Sequence, residues 1–163
     1  MSEQRVSGIG DFLVVDTSSP TGLRWIKRPK YSRVRVGTIA FTSIGHSAPG
    51  YYQGMFNGVQ LKAHRVVFFL THGYWPYIVD HLDGNPLNNN PANLRVCSLS
   101  ENQHNVIARG TRRNGKSWQV NIQVDGKRQT FGAYDTEELA HAAYLEAKRI
   151  LHPTAPERCY VQN

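Results

Sequence analysis

Asp80 and His81 stand side by side, a hard oxygen ligand next to a base. That pairing suits hydrolysis of a phosphodiester. The reaction needs a divalent ion on a non-bridging oxygen and on the leaving oxygen, and a base to activate water. An imidazole titrates near neutrality and can take that proton. Mg²⁺ prefers oxygen donors and takes only one or two from a protein, with water and phosphate filling its shell. Adjacent strand residues point to opposite sides, so the two side chains splay unless the strand ends at them. The turn that follows, Asp83-Gly84-Asn85, allows such an end. By residue type alone the pair is also an ordinary surface dipeptide, and its surroundings must decide.

Those surroundings read as strand, long loop, strand, helix. Ala63 to Gly73 is a short apolar helix ended by Gly73. Tyr77 to Val79 reads as a strand, Asp83 to Ala92 as a polar loop, and Leu94 to Cys97 as a returning strand. Ser98-Leu99-Ser100-Glu101 fits a capping box that opens a helix from Leu99 to about Ala108. Before this, residues 1–62 break into extended pieces: Asp11 to Val15, Ser32 to Val36, Thr38 to Phe41 and Gly58 to Leu61. After it, Trp118 to Val124 alternates apolar and polar residues, Asp125-Gly126 signals a hairpin, and Lys127 to Phe131 returns. Asp135 to Glu138 opens a helix to about Leu151, with Leu139, Ala143, Ala147 and Ile150 on one face, stopped by Pro153 and Pro156. Ala108 to Lys116 is a basic linker.

The chain has 163 residues, and 19 Lys and Arg against 12 Asp and Glu give a net charge of +7. That surplus suits a polyanionic partner and says nothing of fold. Cys97 and Cys159 form no CxxC pair, which argues against a structural zinc site and a disulfide scaffold and fits a reducing cytoplasm. No apolar run approaches the roughly 18–20 residues of a membrane span. Met1 to Asp11 lacks the hydrophobic core of a secretion signal, so a cytoplasmic, non-secreted protein is expected.

His64-Arg65-Val66-Val67, Val79 to Asn85, Asn88-Asn89, and Asn93-Leu94-Arg95 followed by Ser98 to Asn105 occur in that order. Over roughly residues 57–107 this run resembles the HNH endonucleases, in the phage and intron-homing branch with Asn at the third motif position. The extended N-terminal part is similar to the segment preceding the core in that branch. The resemblance implies a ββα-metal fold holding one divalent ion, Mg²⁺ or else Mn²⁺, and not zinc. It implies Asp80 as a metal ligand and His81 as general base. Asn93 would tie the long loop and orient His81, and Asn102 would be the second metal ligand, with Asn105 one turn on as its alternative. Arg65 and Arg95 are phosphate contacts or structural ion pairs. His64 packs, caps or takes part in catalysis. Cys97 reads as core, His72 as a helix cap, and His46, His141 and His152 as surface residues.

Arg109-Gly110-Thr111-Arg112, Lys116 to Ile122, Asp125-Gly126-Lys127 and Phe131 to Thr136, followed by the Ala-rich Glu138 to Ala147, resemble an AP2 DNA-binding domain. That likeness implies a three-stranded sheet set in the major groove and a helix on its other face. Gln119, Asn121 and Gln123 alternate away from the apolar positions and could read adenine edges. Arg109, Arg112, Arg113, Lys116, Lys127 and Arg128 would meet phosphates or guanines.

The expected protein is α+β. It has an HNH nuclease domain at 1–108 (core 57–107, β-rich extension 1–56), an AP2-like domain at 109–155 and a tail at 156–163. The expected function is metal-dependent cutting or nicking of specific double-stranded DNA, as a homing-type enzyme of a phage or mobile element, acting as a monomer without a membrane. The alternative is a DNA-binding regulator that no longer cuts.

Overall fold

Gly, Pro and Ser cut the first third of the chain into pieces too short for a broad sheet, and a computed structural model shows what they build instead. It describes residues 6–46, 49–124 and 126–161. Asp125, of the expected Asp125-Gly126 turn, lies outside the described residues, as do Met1 to Arg5 of the expected non-signal N-terminus. The chain is mixed α+β and divides into two compact units, Met1–Val96 and Cys97–Asn163.

The first unit contains β1 (Leu13–Val15), β2 (Leu23–Trp25), β3 (Ser43–Ile44), β4 (Tyr52–Phe56), β5 (Val59–Lys62), α1 (Ala63–His72), β6 (Val79–His81) and β7 (Leu94–Val96). These pair as three small antiparallel sheets, β1-β2, β3-β4-β5 and β6-β7. α1 ends where Gly73 takes a left-handed φ of 81° and returns its N–H to Phe69 O. Its buried side, Ala63, Val66, Val67 and Phe68, packs with Ile9, Leu13, Leu23 and Phe56. Trp75 stacks on Phe69 with ring centroids 4.4 Å apart.

Several expected strands differ. Ser32 to Val36 and Thr38 to Phe41 are not ladder strands: only Ile39 bridges, to Arg24, and Phe41 sits at φ +58°. The ring of Phe41 explains Gly54 in the middle of β4, where a Cβ would lie 2.3 Å from it. A strand interrupted by glycine has no alternating pattern to read.

The second unit contains α2 (Leu99–His104), β8 (Thr111–Asn114), β9 (Ser117–Val124), β10 (Lys127–Tyr134) and α3 (Glu137–Leu151). The three strands form one antiparallel sheet with β9 in the centre, and α3 packs on it through Ala140 and Tyr144 against Val120 and Ile122. The capping box at Ser98 is present: its hydroxyl accepts from Glu101 N–H, and the Glu101 carboxylate accepts from Ser98 N–H. α2 stops at His104 rather than Ala108 because Asn105 is held there, Arg158 Nη2 donating to both its O and Oδ1 at 2.6 Å. His104 Nδ1 also lies 2.7 Å from Thr154 Oγ1, which ties α2 to the C-terminal end of this unit.

The inward stripe of α3 keeps Ala143 and Ala147 of the expected one and corrects its ends. Leu139 and Ile150 are exposed, and Ala140, Tyr144 and Lys148 face in. Lys148 can be buried because its ammonium donates to Val106 O at 2.6 Å. His152 is likewise buried rather than on the surface, its Nε2 hydrogen-bonded to Gln123 O at 2.8 Å and its ring stacked on His104. Among the described residues no helix is long and apolar enough to cross a membrane.

Candidate active site

β6 and β7 pair in register Asp80↔Arg95 and His81↔Leu94. Asp80 is buried, and the Arg95 guanidinium donates to its Oδ2 through Nε (3.1 Å) and Nη2 (3.0 Å). Two N–H donors of one planar guanidinium fix the position of that carboxylate. His81, also buried, meets a different set: the His64 ring at 5.0 Å between centroids, the Tyr51 ring at 6.1 Å, and Asn89.

The Asn89 amide decides the His81 tautomer. Asn89 is 2% exposed, and its Nδ2 donates to Thr21 O at 2.9 Å, so Oδ1 is the atom turned to His81 Nε2 at 3.2 Å. Oδ1 can only accept, so Nε2 carries the hydrogen and Nδ1 the lone pair. Burial pushes the His81 pKa below its ordinary value, against the upward pull of the Asn89 bond and of Asp83 and Asp80. The ring is therefore neutral, a competent base, at neutral pH. His64 is pushed further, to about 3, by burial and by the neighbouring His81, Lys62 and Arg65, and its buried Nδ1 has no hydrogen-bond partner.

The N-terminal extension thus takes part in positioning the base. Thr21 belongs to the β1–β2 turn, and Gly22 after it has φ +76°, where a Cβ would sit 2.9 Å from Val67 Cγ2 and 3.0 Å from Asn89 O. Only glycine lets that turn lie against α1 and the Asn-rich loop.

The loop itself is tied through Asp83. Its carboxylate accepts from Asn85 N–H (2.8 Å), Asn88 Nδ2 (2.7 Å) and Asn93 Nδ2 (2.9 Å). Burial raises the Asp83 pKa, but these bonds outweigh it and the net shift is downward. Asn93 Oδ1 accepts from Asp83 N–H at 3.0 Å, and Asn93 Nδ2 also donates to Asn88 O at 2.9 Å. Asn93 ties the loop as expected, but its amide does not reach His81; the side chain that orients the ring is Asn89. Sequence reasoning named Asn89 only within the family run and without a role, and passed over Thr21 and Tyr51. The first lies in a run of three Asn with nothing to single it out, and the others are distant in the chain.

Arg65 is expected as a phosphate contact or a structural ion pair. Its Nη1 and Nη2 donate to Tyr77 O (2.9 Å) and Pro76 O (2.7 Å), fixing the chain just before β6, and burial lowers its pKa. Asn102, the expected second metal ligand, is on exposed positions of α2, in the second unit. Its alternative, Asn105, is buried and spent on Arg158. Among the described residues no three His, Cys, Asp or Glu side chains gather as a metal cluster. A hard ion seated on one or two protein oxygens needs no such cluster, and the Asp80 carboxylate fits that role.

In the second unit, register sorts the expected DNA-contacting residues. Arg112 pairs with Gln119, Thr130 with Asn121, and Arg128 with Gln123, so these six share the face turned away from α3. Thr130 Oγ1 donates to Asn121 Oδ1 at 3.0 Å, a member of the face that the alternation did not flag. Arg113 and Lys127 pair instead with Trp118 and Val124, on the side toward α3. Lys116 is at the exposed β8–β9 turn, and Arg109 is exposed with Glu137 at 3.7 Å.

Residues 61–104 match the family model described as HNH endonuclease. The chain is also 30% identical over 103 residues to "Protein 3.8" of Escherichia phage T7, covering 56% of this chain and 84% of that protein. No solved structure matches. The family segment runs from β5 through α2 and includes Asp80, His81, Asn89, Asn93, Arg95 and Asn102.

Proposed function

We propose that this chain, which belongs to the HNH endonuclease family, hydrolyses phosphodiester bonds of double-stranded DNA with one divalent ion, Mg²⁺ before Mn²⁺. The observation that carries the reading is the buried His81, held as a neutral base with its lone pair on Nδ1, next in sequence to the Arg95-held carboxylate of Asp80. When bound, the ion would neutralise charge on the phosphate and on the leaving oxygen. Asp80 would hold it, and Asn102 is proposed as its second protein oxygen. His81 Nδ1 takes the proton from the attacking water. The resulting imidazolium keeps its Nε2–H bond to Asn89, so no bond has to be remade as the proton arrives. Arg95 holds the carboxylate in place. One such centre cuts one strand, so a monomer nicks.

The second unit is proposed as the AP2-like reader that a single metal centre lacks. Support comes from the face of Arg112, Gln119, Asn121, Gln123, Arg128 and Thr130, with amides suited to adenine and guanidiniums to guanine or phosphate. The relative's phage source makes a phage or mobile-element setting, in a host cytoplasm, the proposed context.

The test is incubation with supercoiled plasmid and with phage genomic DNA, in Mg²⁺ and in EDTA. Nicking in Mg²⁺ alone, abolished by His81→Ala with binding retained, is the expected result. Undiminished cutting by that variant removes His81 as base. Binding without cleavage of any DNA favours the regulator.

A further inference from the structure

Residues 17–79 contain no Asp or Glu, while Arg24, Lys27, Arg28, Lys30, Arg33, Arg35, Lys62 and Arg65 fall within them. Five of those eight cations lie on one projecting segment. After β2 the chain leaves the sheet at Ile26 and returns at Gly37. The base of this excursion is closed by Gly37 N–H to Trp25 O (2.7 Å), Trp25 N–H to Thr38 O (3.0 Å) and Ala40 N–H to Leu23 O (3.0 Å). Arg24 reinforces the closure, its Nη1 donating to Gly37 O at 2.6 Å and its Nε to Asp16 at 2.5 Å. Pro29 is buried and Val34 packs on the core, so the segment is anchored at two points. Its tip is a turn closed by Ser32 N–H to Pro29 O at 3.1 Å.

What this segment presents is charge. Lys27, Arg28, Lys30, Arg33 and Arg35 are all exposed, and among the described residues none of them is paired with a carboxylate. Arg33 and Arg35 flank the inward Val34 and so share the outward side. Tyr31 at the tip is 93% exposed at φ +62°, an uncommon backbone for a residue other than glycine, with the Lys30 ammonium 5.1 Å from its ring. Concentrating like charges without a counterion raises the energy of the free protein, and a polyanion relieves it. Regularly spaced phosphates are the anions that would meet five cations along one anchored segment.

We propose that residues 26–37 form an arm that grips the phosphate backbone of duplex DNA independently of sequence, with Lys27, Arg28, Lys30, Arg33 and Arg35 as its contacts. The choice of duplex DNA rests on the nuclease reading above; the cationic arm itself does not.

The experiment measures equilibrium binding of a labelled duplex of arbitrary sequence across a KCl series, in EDTA so that no cutting is needed. The full chain is compared with a variant carrying Lys27→Gln, Arg28→Gln, Lys30→Gln, Arg33→Gln and Arg35→Gln. Each phosphate contact contributes about 0.9 to the slope of log affinity against log salt, so removing five is expected to flatten the slope by about 4.5. A charge-keeping variant, Arg28→Lys, Arg33→Lys and Arg35→Lys, is expected to keep the slope. An unchanged slope in the Gln variant overturns the arm. As a readout on the unaltered protein, Lys27 and Lys30 are expected to lose reactivity toward an amine-acylating reagent when the duplex is added; full reactivity also overturns it. Equal or tighter gripping of a duplex RNA of the same length by the same five residues would overturn the assignment to DNA. Cutting that persists with an unchanged slope sinks the arm alone, and an arm that binds without any cutting sinks the nuclease alone.

Discussion

The two units put their functional side chains in opposite environments. In the first, Asp80, His81, His64 and Asn89 are buried and each side chain's orientation depends on another's. In the second, the residues of the polar sheet face are half-buried or exposed and stand on a ladder that exists without them. Chemistry on a bond calls for groups whose orientation is fixed in advance, and that requires burial and shared partners. Contact with a broad surface needs only a rigid platform. Mutations among these buried residues should therefore damage stability and turnover together, and mutations on the polar sheet face affinity or selectivity alone.

The largest effect is expected at Arg95. Arg95→Met leaves the Asp80 carboxylate buried without its guanidinium, at a cost of about 3 kcal/mol in denaturant unfolding. Adding Asp80→Asn should recover much of that loss, and an unrecovered double variant would show that Arg95 acts by packing. Asn89→Leu comes next. It removes the partner of His81 Nε2 and leaves Thr21 O unsatisfied, for about 1–3 kcal/mol. Turnover of plasmid should fall by about 10-fold or more with KM little changed, since the ring is misoriented and no DNA contact is lost.

Different in kind is the acid sensitivity carried by His64. Its pKa is 6.5 when unfolded and about 3 when folded, so the unfolded chain binds the extra proton between those values. Stability is complete above about 6.5 and is lost as pH falls toward 3, at up to about 1.4 kcal/mol per pH unit. His64→Phe should flatten that dependence in thermal unfolding followed from pH 7 to 4, and an equally steep curve would assign the sensitivity elsewhere. Least costly to the fold is Gln119→Ala combined with Gln123→Ala. It should leave Tm and turnover unchanged while selectivity among sites weakens by about 1–3 kcal/mol per lost base contact. A fall in turnover on every DNA would break the contrast between the units.

The same contrast explains what could be read from the chain. The alternation of Trp118, Val120, Ile122 and Val124 foretold both the buried side of β9 and the polar face opposite, because a strand with one covered side has a period of two. The capping box at Ser98 and the Gly73 stop on α1 were equally local signals. β2 and β4 were not legible: the first has three residues and the second carries Gly54 for the sake of Phe41, a contact thirteen positions away. Of the candidate site, Asp80 and His81 are read from type and family likeness. Asn89 was not, since its role comes from Thr21, and the stripe on α3 was misjudged because a buried Lys148 breaks any hydrophobic count.

The bond from Asn89 Nδ2 to Thr21 O joins residues 68 positions apart. Contacts of that separation form only after the intervening chain has closed a long loop, at an entropic cost that nothing local offsets. The Asn89 amide that faces His81 is therefore oriented only once the first twenty-odd residues have returned to the Asn-rich loop. A chain in which that long loop has not closed would carry the whole family segment with the His81 ring not yet fixed.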